Sequence, residues 1–96
     1  MSHAYRMRIE VRNVKKADDE KVLDEIVPKW WSGDYGREGS ALWVDGSDRL
    51  VGGGDLNDFH RDLTGKLREL LGYHVKVAIF AKDKEGPNAG DEYEFK

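Results

Sequence analysis

Strict alternation of apolar and charged residues predicts two long β-strands. The first is "YRMRIEVRNV", in which every second residue from Tyr5 to Val11 is apolar, whereas Arg6, Arg8, Glu10 and Arg12 lie on the other face. The second is "HVKVAIFAK", whose inward residues are Val75, Val77, Ile79 and Ala81. A period of two buries one face of a strand and leaves the other face in water. After the turn-rich "DKEGPNAG", the segment "DEYEFK" predicts a short final strand.

Apolar residues at helical spacing predict two helices. In "ADDEKVLDEIVPKWW", Asp18 is placed to cap the N-terminus, and Pro28 is expected to end or kink the helix. Proline removes a backbone donor and clashes with the preceding turn. In "DLNDFHRDLTGKLRELLG", one apolar stripe runs between a capping Asp55 and a terminating Gly72.

The pattern between the two helices is less regular. Gly33, Gly36 and Gly39 interrupt residues 32–39, which we interpret as a surface connection. The runs "SALWV" and "RLVGG" flank the segment "DGSD". Asp-Gly between two apolar runs is a hairpin signal, so we expect a short hairpin there.

The order of elements predicts an α+β two-layer sandwich. It is strand, helix, strand, strand, helix, strand, strand. Helices that alternate with antiparallel strands in such a short chain are typical of two helices packed on one face of an antiparallel sheet. The expected topology is ferredoxin-like, βαββαβ, with an added C-terminal strand. Without repeats or a linker segment, residues 1–96 are expected to form a single domain.

Composition and charge narrow the function classes. The net charge of −3 argues against general duplex-DNA binding by bulk electrostatics. The absence of cysteine excludes disulfides, thiolate catalysis and cysteine-type zinc sites. No stretch approaches the roughly 20 apolar residues that cross a membrane, and the first residues lack the apolar run of a signal peptide. We expect a cytoplasmic protein without a membrane partner.

No residue pattern predicts catalysis, a cofactor or a metal. Three glycines precede the second helix in "VGGGDLNDF", but the Gly-Lys-Ser/Thr of a phosphate-binding loop is missing. Asp55 and Asp58 also place negative charge where an anion would sit. Asp58, His60 and Asp62 are two residues apart on a helix, so they point in different directions. We therefore expect a protein that is not an enzyme.

Charge is distributed unevenly along the chain. Residues 1–16 carry five Lys/Arg and one Asp/Glu, whereas residues 17–38 carry three Lys/Arg and seven Asp/Glu. The open face of the sheet is therefore expected to be basic, presenting Arg6, Arg8, Arg12, His74, Lys76, Phe80 and Lys82. The simplest interpretation is a polar face covered by water. A platform for single-stranded nucleic acid and a docking surface for an acidic protein are the functional alternatives.

All three tryptophans lie in "KWWSGDYGREGSALWV". Trp30 continues the apolar stripe of its helix and is expected to anchor the core, whereas Trp31 is expected at an edge. Trp43 joins the open sheet face if its neighbours are buried. Tryptophan and tyrosine bury much area with few rotatable bonds, which favours them at interfaces. The candidate binding residues of this segment are Trp31, Tyr35, Arg37 and Trp43.

The layout of the chain resembles small accessory proteins of phages, plasmids and integrated elements. The resembling parts are "YRMRIEV", the helix ending in "KWW", the Gly/Asp/Trp segment, "GGGDLNDF" and "DEYEFK". The resemblance implies a non-enzymatic protein that binds a host or viral macromolecule, and no catalytic residues. Inhibitors of bacterial defence systems, including anti-CRISPR proteins, are one such class, so action by steric occlusion is part of what the resemblance implies. The leading hypothesis is therefore a protein-binding module; the alternative is a single-stranded nucleic-acid or RNA binder that uses the basic sheet face.

Overall fold

A computed structural model describes residues 4–49, 55–84 and 90–96 of the chain. The elements in chain order are strand β1 (Ala4–Arg12), a 3-10 turn (Lys16–Asp18), helix α1 (Asp19–Lys29), strands β2 (Asp34–Glu38) and β3 (Ala41–Arg49), helix α2 (Leu56–Leu71), and strands β4 (Lys76–Asp83) and β5 (Glu92–Phe95). The predicted α+β class is confirmed.

The five strands form one antiparallel sheet in the order β2-β3-β1-β4-β5. The strand β1 lies at the centre, where Ile9 is opposite Val44 of β3 and Ile79 of β4. With β5 at the edge beside β4, this order differs from a simple βαββαβ unit. The two helices and the antiparallel sheet are thus as predicted, and the ferredoxin-like assignment stays a prediction.

The hydrophobic core lies on the face of the sheet that the helices cover. Met7, Ile9 and Val11 alternate with charged residues along β1 and are fully buried, as the period of two predicts. One cluster joins them to the apolar stripes of the two helices. Its other members include Val22, Ile26, Leu42, Val44, Phe59, Leu63, Leu67, Val77 and Ile79.

The ends of both helices follow from local sequence. In α2, the side chain of Asp55 accepts a hydrogen bond from the Asp58 N–H at 2.8 Å, and Gly72 follows the last turn. In α1, Pro28 lies in the last turn and the helix ends at Lys29, as predicted. Asp18 occupies the position before α1, but its side chain makes no capping hydrogen bond. The 3-10 turn leads directly into α1, so the helix begins without a side-chain cap.

The prediction for the segment between the helices is wrong in two respects. Residues 34–38, interpreted as a surface connection, form the edge strand β2. The chain reverses at residues 39–40, where Gly39 has a φ of +59°, and β3 continues straight through the predicted turn "DGSD". The predicted strand "RLVGG" lies mostly outside the described residues, as do the glycines 52–54 and residues 85–89 of the predicted C-terminal turn.

Long pairing with β1 explains why the Asp-Gly signal fails. The strand β3 pairs with β1 from Ala4 opposite Arg49 to Val11 opposite Leu42. Such an array of backbone hydrogen bonds outweighs a local turn preference. Gly46 serves another purpose, because a Cβ atom there would lie 2.2 Å from the Ser32 carbonyl oxygen. The residue permits the chain leaving α1 to cross directly over β3.

Candidate functional site

The face of the sheet opposite the core carries most of the predicted binding residues. The register places Arg8 of β1 opposite Phe80 of β4 and Asp45 of β3. It also places Arg6 opposite Lys82. This outer face therefore brings together Arg6, Arg8, Arg12, Trp43, Lys76, Phe80 and Lys82, whereas His74 precedes β4.

Trp43 is held in place by its neighbours on both adjacent strands. It lies opposite Gly36 of β2, and a Cβ atom at Gly36 would be 2.6 Å from Cζ2 of the indole. On the β1 side, the guanidinium carbon of Arg8 lies 4.8 Å from the centroid of the Trp43 ring. This is a cation–π contact. The half-exposed indole is thus fixed in orientation before any partner binds.

The outer face is not uniformly basic, and the prediction of a basic sheet face is wrong. Arg6 lies 3.4 Å from Asp45, Arg8 lies 3.5 Å from Glu10, and Arg12 lies 3.8 Å from the same glutamate. The edge strands add further carboxylates on this face, at Asp34, Glu38, Glu92 and Glu94. The arginines of β1 are therefore flanked by acid on both sides.

The period-two rule accounts for three of these carboxylates, Glu10, Glu92 and Glu94. Glu10 alternates with the core residues of β1 just as the arginines do. Glu92 and Glu94 alternate with Tyr93 and Phe95, which pack against the core. The alternation could place neither Asp34 and Glu38, which lie on the unpredicted strand β2, nor β5 beside β4.

A groove of about 520 Å³ runs across the outer face beside Phe80. The half-buried Phe80 ring contributes apolar surface to it. The charged residues of its lining carry both signs: Arg6, Arg8, Lys82, Asp45, Glu92 and Glu94. Such a groove complements a ligand with both charges better than it complements a polyanion.

The expected roles of the two adjacent tryptophans are reversed, so the prediction that Trp31 lies at an edge is wrong. Trp31 is 3% exposed and belongs to the core, whereas Trp30 is only partly buried. The N–H groups of both residues donate to the Ile26 carbonyl, at 2.8 and 2.9 Å, as α1 ends. The turn drives Trp31 inward against Phe59, with ring centroids 6.4 Å apart. Trp31 is thus not available to a partner.

Tyr35 and Arg37 lie on β2, in register with the core residues Val44 and Leu42 and not on the outer face. The Arg37 guanidinium donates to both carboxylate oxygens of Asp19, at 3.0 and 2.8 Å. It also donates to the carbonyl oxygens of Gly39 and Val14. Arg37 therefore connects β2 to the start of α1 and to the segment that follows β1. Tyr35 is 59% exposed at the sheet edge.

The pKa of one side chain near the beginning of β1, Tyr5, is raised. Burial raises the pKa of Tyr5, and the charges of Asp83, Tyr93 and Asp55 raise it further. Tyr5 alternates with Arg6 and so lies on the core side of the sheet. Its shift therefore reflects packing of the fold and does not bear on the outer face.

Other site chemistries find no geometric support in the described ranges. No group of three or more His, Asp or Glu side chains in residues 4–49, 55–84 and 90–96 could hold a metal ion. Neither helix of that part is long and apolar enough to cross a bilayer. The chain matches no protein-family model, no curated protein and no solved structure. The geometry of the outer face is therefore the basis for a functional argument.

Proposed function

We propose that this chain is a non-enzymatic protein-binding module whose docking surface is the outer sheet face. The observation that carries the proposal is the Trp43 indole, fixed by Arg8 beside the mixed-charge groove at Phe80. Tryptophan and arginine dominate the energetic centres of protein interfaces. A side chain that is already oriented loses less entropy on binding, which favours affinity.

Charge complementarity defines the partner. Arg6 and Lys82 suit acidic groups of the partner, whereas Glu92 and Glu94 suit basic groups beside them. A protein surface can supply both signs within one interface. A nucleic acid supplies phosphate throughout and would meet the carboxylates of the same groove. The alternative, a single-stranded nucleic-acid or RNA binder on this face, is therefore less favoured.

We further propose that the module acts by steric occlusion in the cytoplasm. The resemblance in layout to accessory proteins of mobile elements supports an inhibitor of a bacterial defence complex. The order of the first four strands, β2-β3-β1-β4, supports a ferredoxin-like unit extended by β5. In that arrangement the helices cover one face, and the sheet offers the other to a partner.

The test is capture of a partner from bacterial lysate by the tagged chain and by matched variants. Trp43→Ala and Phe80→Ala remove the aromatic groups of the docking face. Tyr35→Ala removes an exposed aromatic on the other side of the edge strand and serves as the control. We expect one specific protein to be captured by the wild type and by Tyr35→Ala, and to be lost from the two docking-face variants. Equal capture by all four proteins would contradict the assigned surface.

A second measurement addresses the alternative. A labelled single-stranded oligonucleotide is titrated with the wild type and with the double variant Arg6→Glu/Arg8→Glu at several salt concentrations. Binding to the outer face would weaken with salt and disappear in the double variant. We expect this double variant to bind the oligonucleotide as the wild type does, because carboxylates already flank both arginines. Loss of binding in the variant would favour the nucleic-acid alternative.

A further inference from the structure

A second groove lies at the edge of the sheet where β5 stops short of the beginning of β4. The strand β5 pairs with residues 79–82, so residues 76–78 have no strand on that side among the described residues. The opening has a volume of about 490 Å³, within the range of small-molecule sites. Its polar lining comes from the sheet and from α2, and consists of Arg12, Lys76, Lys96, His60, Thr64 and Arg68.

This edge groove differs from the groove on the outer face in its charge. No carboxylate is among its lining residues. Two of its cations have acidic partners outside the lining: Glu10 lies 3.8 Å from Arg12, and Glu94 lies 2.9 Å from Lys96. Lys76 makes no ion pair within the part of the chain that the structure describes. Arg12 and Lys96 are thus partly neutralised, and the positive charge of the groove that is unpaired in the described ranges comes from Lys76 and Arg68.

Two of the positively charged side chains in the groove lie opposite each other on neighbouring strands, which destabilises the folded protein. Arg12 of β1 and Lys76 of β4 are direct cross-strand neighbours on the outer face. Like charges that face each other across antiparallel strands destabilise the pair. Arg6 and Lys82, the other like-charged pair of the same two strands, have Asp45 and Glu92 beside them. Arg12 has Glu10 beside it, whereas Lys76 makes no ion pair in the described ranges, and an anion bound in the groove would supply a partner for it.

Hydrogen bonds to the backbone carbonyl groups of Val75 and Val77 fix the α2 side of the groove. His60 Nε2 lies 2.8 Å from the Val77 carbonyl oxygen, and the His60 ring stacks on Phe95. Arg68 Nε donates to the Val75 carbonyl at 3.2 Å. The terminal nitrogens of Arg68 make no hydrogen bond within the described ranges, so they remain as donors directed by a fixed side chain.

The edge groove continues into a second depression of about 630 Å³ on the surface of α2. His60, Thr64 and Arg68 line both depressions, and the second adds Arg61, Gly65, Glu69 and Tyr73. Tyr73 is 87% exposed, and a Cβ atom at Gly65 would meet nothing within 4 Å. Thr64 lines both depressions, and its hydroxyl is buried and has no hydrogen-bond partner among the described residues. The second depression thus offers an exposed aromatic ring over an open helix surface.

We propose that the two depressions form a nucleotide-binding site. The phosphate occupies the edge groove among Arg12, Lys76 and Arg68, and the base lies in the second depression against Tyr73. Arginine and lysine bind phosphate oxygens through charge-assisted hydrogen bonds, and bases stack on aromatic side chains. The nucleotide is either free or part of a single strand, since both present the same phosphate and base. The site takes Arg12 and Lys76 from one end of the outer sheet face, shares no lining residue with the groove beside Phe80, and does not depend on a protein partner.

The experiment is a titration of the purified full chain, followed by amide chemical shifts, with adenosine monophosphate, a ten-nucleotide single strand, and polyglutamate as a non-phosphate polyanion. The variants are Lys76→Gln and, as matched control, Lys82→Gln, which removes the same charge from the same strand about 20 Å away. A further variant, Tyr73→Ala, tests the base subsite. We expect Lys76→Gln to weaken nucleotide binding by about tenfold, with little change for Lys82→Gln.

Thermal melting of the same variants provides an independent check. Since Lys76 opposes Arg12, Lys76→Gln should melt no lower than the wild type while binding more weakly. Saturation by the mononucleotide would assign a free nucleotide, and saturation by the single strand alone would assign a strand; either supports the site. The proposal would be overturned if neither the mononucleotide nor the single strand bound. It would also be overturned if Lys82→Gln weakened binding as much as Lys76→Gln, or if polyglutamate bound as tightly as the nucleotide.

Discussion

Arg37 of β2 and Asp19 of α1 form an ion pair in which two nitrogens of one guanidinium meet two oxygens of one carboxylate. The distances are 3.0 and 2.8 Å, and the side chains are 18% and 23% exposed. Further donor groups of Arg37 reach the carbonyl oxygens of Gly39 and Val14. One side chain therefore joins the edge hairpin, the start of α1 and the segment that follows β1.

Replacement of Arg37 by lysine should destabilise the protein although the charge is kept. Lysine cannot form the two-point contact with Asp19, nor reach the two carbonyl groups at once. We expect Arg37→Lys to lower the free energy of unfolding by about 1–2 kcal/mol in urea denaturation. Arg61→Lys is the control, because Arg61 makes only surface ion pairs with Asp58 and Asp62. Equal effects of the two substitutions would contradict the structural role of Arg37.

Truncation of Trp31 should be far more damaging than its place in an aromatic, glycine-rich segment suggests. The ring is 3% exposed and packs edge-on against Phe59. We expect Trp31→Ala to lower the free energy of unfolding by about 3–5 kcal/mol, the usual cost of removing a buried aromatic side chain. Trp43→Ala, on the outer face, should cost less. In a variant that retains Trp31 as its only tryptophan, iodide should quench the fluorescence poorly; efficient quenching would show that the ring is exposed.

Alanine substitutions at two glycines should change stability in opposite directions. At Gly46, the added methyl group would lie 2.2 Å from the Ser32 carbonyl oxygen, so Gly46→Ala should destabilise the protein. At Gly65 within α2, nothing lies within 4 Å, and alanine favours the helix by about 0.5–1 kcal/mol. Thermal melting of both variants checks the prediction. A stabilising Gly46→Ala would mean that the chain after α1 does not cross β3 as described.

Local pattern determined some elements of this fold and long-range pairing determined others. The strands β1 and β4 and the helix α2 were predicted because each has its own period and, for α2, its own cap. The edge strand β2 was not, because Tyr35 and Arg37 alternate around a glycine and owe their extended form to pairing with β3. The extended conformation of β3 at Gly46 likewise depends on the pairing of β3 with β1.

The sequence predicts the cations of the candidate surface and Glu10 among them, but not Asp45 or the carboxylates of the edge strands. Alternation places Arg6 and Arg8 correctly on the outer face. The acidic residues of the edge strands share that face with them only because of the order of the strands in the sheet. The edge groove was missed for a related reason. Lys76 and Arg68 are eight residues apart along the chain, and only the packing of α2 beside β4 makes them line one opening.

Ionisation of Tyr5 should destabilise the fold at alkaline pH. Burial and nearby Asp83 raise the pKa of Tyr5 above its ordinary value of 10.0. At a pH above 10 the unfolded chain therefore releases this proton before the folded chain does, so the free energy of unfolding falls as pH rises. The stabilising contribution is complete below that pH. Tyr5→Phe should make the alkaline decline less steep, measured by urea denaturation between about pH 8 and 11. Tyr73→Phe, which removes an exposed phenol, is the control, and an unchanged decline in Tyr5→Phe would contradict the raised pKa of Tyr5.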